Sequence, residues 1–100
     1  MRIITVGTLK NFWMQYPDAE QPIKSWIAAV KKLTWNSPND IKAKFRSASI
    51  LKNNRVVFNI KGNDYRLIVK IIYMRKVIYV KFVGTHAQYD VIDANTVELF

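Results

Sequence analysis

The sequence contains no cysteine and only one histidine, His86. Without thiols the chain can form neither a disulfide framework nor a thiolate metal site, and a single imidazole excludes most zinc sites. It also lacks a phosphate-binding P-loop, a dinucleotide fingerprint and a GxSxG nucleophile motif. Carboxylates are too few in its basic section to hold magnesium for a two-metal nuclease. If the protein is an enzyme, we therefore expect it to use neither a metal ion nor another cofactor.

Acidic residues are scarce as well. There are seven of them against sixteen lysines and arginines, which gives a formal net charge of +9. Fourteen of the sixteen basic residues lie between Lys24 and Lys81, where the only acids are Asp40 and Asp64. Such a basic central section is typical of proteins that bind polyanions. We therefore favour a nucleic acid partner over the alternative that the charge serves solubility alone.

Long hydrophobic runs are also missing, since none approaches the roughly 20 residues that a membrane span requires. The N-terminal segment is too short and too polar for a secretory signal. We therefore expect a soluble cytoplasmic protein without membrane contacts. The 100 residues suffice to bury one hydrophobic core. Because no repeat or linker divides them, a single domain over residues 1–100 is expected.

Between residues 55 and 82, apolar and polar residues alternate in three consecutive runs. Alternation with period two predicts β-strands that bury one face. Gly62-Asn63 separates the first two runs and predicts a two-residue hairpin turn. The resulting register places both apolar rows on one side and Asn59 opposite Arg66. The residues assigned to the buried face are Val56, Phe58, Ile60, Leu67, Val69, Ile71, Ile78, Val80 and Phe82.

The second turn of the predicted sheet is less clearly marked, because its residues include no glycine. A tight turn at Arg75-Lys76 would set Arg66 opposite Thr85. Arg66 would then lie centrally on the open face of the sheet, between Asn59 and the Gly84–His86 segment.

Apolar residues recur with helical spacing ahead of the strands, from Leu9 to Tyr16 and from Ile23 to Leu33. Pro17 would end the first helix, and the two helices would form a hairpin. Packing this hairpin on the apolar side of the sheet gives an α+β fold, with a small antiparallel β-sheet against an N-terminal helical hairpin. We also expect a strand within residues 1–6, a short helical turn near residues 41–45, a short helix capped by Thr85, and a C-terminal tail that packs back on the domain.

One reaction suits a basic surface with a histidine and a tyrosine, namely cleavage of RNA by its own 2′-hydroxyl group. The substrate carries the nucleophile, so the protein has only to transfer protons and stabilise charge on the phosphate. Arg66 suits the second task because a guanidinium can bind two phosphate oxygens at once. His86 could act as general acid or base, and Tyr89 could stack on a base or donate a hydrogen bond. The structural alternative is that all three residues only pack, hydrogen-bond locally or carry surface charge.

The residues expected to bind RNA along the open face are Arg55, Asn59, Lys61, Lys70 and Lys81.

Two motifs stand at the ends of this region, FNIKGNDYRL at Phe58–Leu67 and GTHAQYD at Gly84–Asp90. They resemble the HigB-type toxins of the RelE/ParE superfamily, which belong to bacterial type II toxin–antitoxin systems. The resemblance covers nearly the whole chain, including Asp40–Ala43 and Phe45–Ala48, and the pair of motifs at this spacing is specific. It implies a RelE-like fold and a ribosome-dependent mRNA interferase that cuts mRNA by 2′-hydroxyl attack. The partners it implies are mRNA on the ribosome, a cognate helix-turn-helix antitoxin, and operator DNA bound in a higher assembly with that antitoxin.

The resemblance also assigns roles to single residues. Arg66 matches the strand arginine that contacts the scissile phosphate in these toxins, and His86 and Tyr89 match the terminal motif of the catalytic group. The sequence departs from the RelE pattern at Val57 and Asn59, where that pattern has a lysine pair, and it has no arginine at His86. These departures leave the general base without a direct match in the RelE pattern, and we assign this role to His86. Two alternatives stay open, a ParE-like inhibitor of DNA gyrase on the same fold and a non-catalytic RNA-binding module.

Overall fold

The computed structural model of the protein describes residues 1–99 and has the predicted α+β fold. In chain order its helices and strands are β1 (Arg2–Ile4), α1 (Val6–Gln15), α2 (Glu20–Lys32), α3 (Pro38–Lys44), β2 (Ser49–Ile50), β3 (Arg55–Ile60), β4 (Tyr65–Ile72), β5 (Val77–Thr85) and α4 (His86–Asp90). The strands form one sheet in the order β1-β5-β4-β3-β2. In it β1 runs parallel to β5, and the other neighbouring strands are antiparallel. No helix within residues 1–99 is both long and apolar enough to cross a membrane.

Helices α1 and α2 bury their apolar stripes against one face of the sheet, here called the helix-side face. Phe12 and Trp26 lie in the core, as their spacing predicts. Trp26 packs edge-on to Phe58 of β3, with the ring centroids 5.3 Å apart. Trp35, which precedes α3, stacks on the same ring at 6.3 Å, although it belongs to no helical stripe. Each fully buried large apolar side chain contributes about 1.5–3 kcal/mol, so this layer is the main source of stability.

The register of the first β-hairpin is the predicted one, with Asn59 of β3 opposite Arg66 of β4. The ladder ends, however, at the pair Ile60 and Tyr65. The loop therefore comprises the four residues Lys61–Asp64 instead of the two predicted. The register is unchanged because the longer loop takes one residue from each strand.

The register predicted between β4 and β5 is wrong, because Arg66 lies opposite Gly84 and not Thr85. The connection is longer than a tight turn and contains a 3₁₀ turn at Tyr73–Arg75. A β-bulge then leaves Lys81 as an extra residue of β5. The central position of Arg66 between β3 and β5 is nevertheless the predicted one.

Beyond the bulge the alternation of β5 is reversed. Phe82 was assigned to the same row as Val80, but it pairs with Ile68 on the other face of the sheet. Val83 packs against the helix-side core in its place. The assignment of Phe82 to the helix-side row is therefore wrong, since an inserted residue leaves no mark in an apolar pattern.

The face opposite the helices, here called the second face, is not open as predicted. Val57 and Ile68 lie on this face but are only 3% and 0% exposed, and Arg55 is 5% exposed. Residues 91–99, here called the C-terminal tail, pack back on the domain as expected, and the Arg55 guanidinium donates to two of their carbonyl oxygens. The centre of this face is apolar, and burial of that apolar surface favours a cover.

Candidate active site

Arg66 is fixed in the candidate site by its own hairpin and by α4. Its side chain lies almost buried on the second face, and the residue is 9% exposed. Nη1 donates to the carbonyl oxygens of Asn63 (2.9 Å) and Tyr65 (3.3 Å). The guanidinium carbon lies 5.5 Å from the ring centre of Tyr89, which is cation–π geometry. All hydrogen bonds that the guanidinium makes to residues 1–99 use Nη1, and Nη2 and Nε make none to these residues.

Helix α4 begins at His86, after the predicted cap Thr85. Oγ1 of Thr85 accepts a hydrogen bond from the N–H of Gln88 (3.1 Å), and Oε1 of Gln88 accepts one from the N–H of Thr85 (2.9 Å). This reciprocal pair is a capping box. The N–H of His86 donates to the carbonyl oxygen of Asp64 (3.0 Å). The start of α4 is thereby attached to the hairpin that carries Arg66.

Gly84 lets α4 fold closely over the end of β5. A Cβ atom at this position would lie 2.5 Å from Cζ of Phe82 and 2.7 Å from Oε1 of Gln88. Both distances are shorter than the roughly 3.5 Å of good nonbonded contact. The glycine is therefore part of the site's construction.

His86 is half-exposed, and its ring is oriented by a carboxylate that the sequence analysis did not single out. Nδ1 lies 3.0 Å from Oδ2 of Asp90, and the His86 side chain is 50% exposed. A neutral imidazole bonded in this way carries its proton on Nδ1 and presents Nε2 as an acceptor. The sequence could have identified Asp90 as the partner of His86, because residues four apart in a helix lie next to each other.

The structure brings the three candidate catalytic residues to one end of the sheet. Arg66 and Tyr89 are in contact, and His86 lies on the short helix that carries Tyr89. Residues three apart in a helix lie on the same side. The imidazole is half-exposed on the helix that also contacts Arg66 through Tyr89. Residues 1–99 contain no group of three or more histidine, aspartate or glutamate side chains that could hold a metal ion.

Two of the residues expected to bind RNA are half-buried on β3 and β4. Asn59 is the direct neighbour of Arg66 across the hairpin, and Lys70 lies four residues further along β4, opposite Arg55. Both therefore flank the candidate site on the same sheet. Whether they bind RNA stays a prediction.

Lys61 lies in the hairpin loop, within an ionic cluster that connects the hairpin to the helices. Its ammonium is 2.8 Å from Oδ2 of Asp18 and 3.3 Å from Oδ2 of Asp64. The Tyr65 hydroxyl donates to the other oxygen of Asp18. Lys61 and then Tyr65 hold the pKa of Asp18 below its ordinary value, and Asp18 in turn raises the pKa of Tyr65 to about 12. Tyr65 precedes Arg66 in β4, and its carbonyl oxygen accepts a hydrogen bond from the Arg66 guanidinium.

The remaining two residues, Arg55 and Lys81, are not exposed as a bare basic surface. Both are paired with Glu98 of the C-terminal tail. The prediction of one shared open cationic face is therefore wrong for this half of the second face, because a segment far along the chain covers it.

The fold and the site together define a RelE-like protein, with an arginine of the central strand beside a short helix that carries His86 and Tyr89. The family model for HigB toxins, described as the RelE-like toxic component of a toxin–antitoxin system, matches residues 19–92. The chain therefore belongs to the HigB toxin family. The matched segment contains all three candidate catalytic residues and ends before Glu98.

Curated relatives are similar over most of their length. The mRNA interferase toxin HigB of Escherichia coli strain K12 is 28% identical over 92 residues, which is 90% of this chain and 88% of the relative. The mRNA interferase HigB of Shigella flexneri gives the same values. The mRNA interferase HigB of Escherichia coli O6:H1 (strain CFT073) is 26% identical over 90% of this chain and 89% of its own length.

Proposed function

We propose that the protein is the toxin of a type II toxin–antitoxin system and acts as an mRNA interferase, an endoribonuclease that blocks translation by cutting mRNA. The observation that carries the proposal is the Arg66 guanidinium held against Tyr89, next to the helix that presents a half-exposed His86. The family of the chain and the names of its curated relatives support the same function.

In the proposed reaction the 2′-hydroxyl oxygen attacks the adjacent phosphorus, and the bond from phosphorus to the 5′ oxygen of the next nucleotide breaks. The products are a 2′,3′-cyclic phosphate and a 5′-hydroxyl end. One proton leaves the 2′-hydroxyl and another reaches the leaving oxygen. Nε2 of His86 transfers one of these protons, because Nδ1 is engaged by Asp90.

Arg66 stabilises the negative charge that develops on the phosphate oxygens, using the N–H groups that its hairpin leaves unbound. Tyr89 holds the guanidinium and stacks on a base or donates a hydrogen bond to the substrate. The reaction uses no metal ion, because the substrate supplies the nucleophile and the arginine supplies the positive charge.

The proposed setting is the cytoplasm, with mRNA on the ribosome as substrate. A cognate helix-turn-helix antitoxin neutralises the toxin, and the complex binds operator DNA. Membership of a toxin–antitoxin family supports the antitoxin, and the net charge of +9 supports a nucleic acid substrate. Residues 1–100 act as one domain in this proposal.

The test is mRNA cleavage by the purified protein in a reconstituted translation reaction, with the ends of the products identified. We expect 2′,3′-cyclic phosphate ends, and no cleavage when the nucleotide at the cut site is 2′-deoxy. Arg66→Ala and His86→Ala should abolish cleavage, whereas Arg75→Ala, an exposed arginine in the β4–β5 connection, should not.

Circular dichroism of each variant controls for folding. Full activity of both Arg66→Ala and His86→Ala would refute the site, and 5′-phosphate ends would refute the mechanism. Inhibition of gyrase supercoiling without RNA cleavage would replace the proposed function by the gyrase alternative.

A further inference from the structure

The C-terminal tail brings a carboxylate onto the second face. The Arg55 guanidinium donates to the carbonyl oxygens of Ala94 (3.2 Å) and Val97 (2.7 Å) and to the carboxylate of Glu98. The other carboxylate oxygen, Oε1, lies 2.7 Å from the Lys81 ammonium. One carboxylate therefore bridges a guanidinium and an ammonium that come from two different strands.

Both cations are held in place by contacts other than Glu98. The tail carbonyls brace Arg55, whose side chain is nearly buried. Lys81 is the bulge residue of β5, and its ammonium lies 5.8 Å from the ring centre of Tyr79. Without Glu98 this region would hold two adjacent positive charges, one of them nearly buried. Such an arrangement favours binding of another anion.

The donors around Glu98 are of the kind that proteins use for phosphate groups. A guanidinium binds two oxygens of one anion, and an ammonium adds a point charge. Glu98 offers them two oxygens, as a phosphodiester does with its two non-bridging oxygens. Lys81 and then Arg55 also hold the pKa of Glu98 below its ordinary value, because both cations favour the ionised carboxylate.

The Glu98 site lies within reach of an RNA strand bound at Arg66. Arg55 pairs with Lys70, which is four residues from Arg66 along the same strand. Four residues of β-strand span about 13 Å. A single strand that placed one phosphate at Arg66 would therefore bring another towards Arg55 and Lys81 by passing outside the C-terminal tail that packs on this face.

We propose that Arg55 and Lys81 form a second phosphate-binding site for the RNA strand, and that Glu98 occupies this site in the free protein. RNA then binds by displacing the carboxylate. The inference rests on the proposed function for the identity of the polyanion. The Glu98 side chain is 46% exposed, so it can turn into solvent while the tail carbonyls still hold Arg55.

The test is the affinity of a short fluorescent RNA whose 2′-hydroxyl groups are methylated, so that it cannot be cleaved. Glu98→Gln removes the charge and keeps the shape of the side chain. We expect it to bind this RNA about fivefold more tightly.

The matched control is Glu20→Gln, which removes the same charge from an ion pair with Lys24 on α2. It reports the general effect of a higher net charge and should change affinity less than twofold. The double variant Glu98→Gln/Lys81→Gln should lose the gain. The proposal is overturned if Glu98→Gln binds no more tightly than Glu20→Gln, or if the double variant keeps the full gain.

A variant that leaves Glu98 intact covers the case in which Glu98→Gln does not fold. Lys81→Gln alone should weaken RNA binding more than Lys31→Gln, which removes an exposed charge from α2. Equal losses would overturn the proposal. Because the RNA is uncleavable, these measurements report on the second site even if the protein cuts no mRNA. If the protein cleaves mRNA but Glu98→Gln has no effect on RNA binding, the second site is refuted and the proposed function is not.

Discussion

The centres of the two sheet faces are equally well buried but are covered in different ways. Leu67 and Ile68 are neighbours in β4 that lie on opposite faces, and both are 0% exposed. Leu67 packs in the core under two helices, whose backbones satisfy their own hydrogen bonds. The second face is covered by the short helix α4 at Arg66 and by residues 91–99 at Arg55, and this tail forms neither helix nor strand. A cover of this kind can open locally at low cost, whereas the helical layer opens only with the whole fold.

The largest expected effect is on stability, and it should differ between the neighbouring residues Leu67 and Ile68, which lie on opposite faces. Leu67→Ala should lower the free energy of unfolding by about 3–5 kcal/mol, because the helices cannot collapse into the cavity. Ile68→Ala should cost about 2–3 kcal/mol, because the tail can settle into the space. Urea unfolding of both variants measures the difference. Equal losses would show that the tail is as rigid as the helical layer.

The helix-side face was predictable from the sequence because each of its signals is local. Period-two runs with Gly62-Asn63 between them determine the β3–β4 register, and helical spacing assigns Phe12 and Trp26 to the core. The bulge at Lys81 was not predictable in the same way. Phe82 is apolar and fits either face, so the sequence pattern is the same with and without the inserted residue.

The candidate site was predicted in part for a similar reason. Arg66, His86 and Tyr89 stand in two motifs whose strand and helix are locally encoded, and the structure places them at one end of the sheet. The cover over Arg55 comes from the C-terminal tail, whose Glu98 is 43 residues away along the chain. Alternation shows which face a strand residue occupies, but it cannot show that a distant irregular segment lies on that face.

The next largest effect concerns Arg66, at the end of the second face where α4 lies. Arg66→Lys keeps the charge but loses the planar group that packs on Tyr89 and can bind two phosphate oxygens. We expect the single-turnover cleavage rate to fall about 100-fold, as for removal of one oriented donor to a developing charge. Arg75→Lys, in the β4–β5 connection, is the control. A full rate for Arg66→Lys would mean that positive charge alone suffices and that the orientation of the guanidinium is irrelevant.

A smaller effect is expected where β5 meets α4. Gly84→Ala should destabilise the fold by about 1–2 kcal/mol, because the new methyl group crowds the Phe82 ring and the Gln88 amide. Thermal unfolding measures this loss. In the double variant Gly84→Ala/Gln88→Ala the two losses should not add, because removal of the amide also relieves the crowding. Strict additivity would place the whole strain on Phe82.

The smallest effect is expected at the junction between the hairpin and the helices, where Asp18 accepts from Tyr65. The raised pKa of Tyr65 means that the folded protein favours the neutral phenol. This contact therefore stabilises the fold below pH 10, and its contribution is lost as the pH rises through about 12. Absorbance at the phenolate band, with Tyr65→Phe to identify the residue, should show this late titration in the wild type. Asp18→Asn should move it down towards 10.0, and a titration that Asp18→Asn leaves unchanged would show that burial in the helix-side layer, and not the carboxylate, holds the proton.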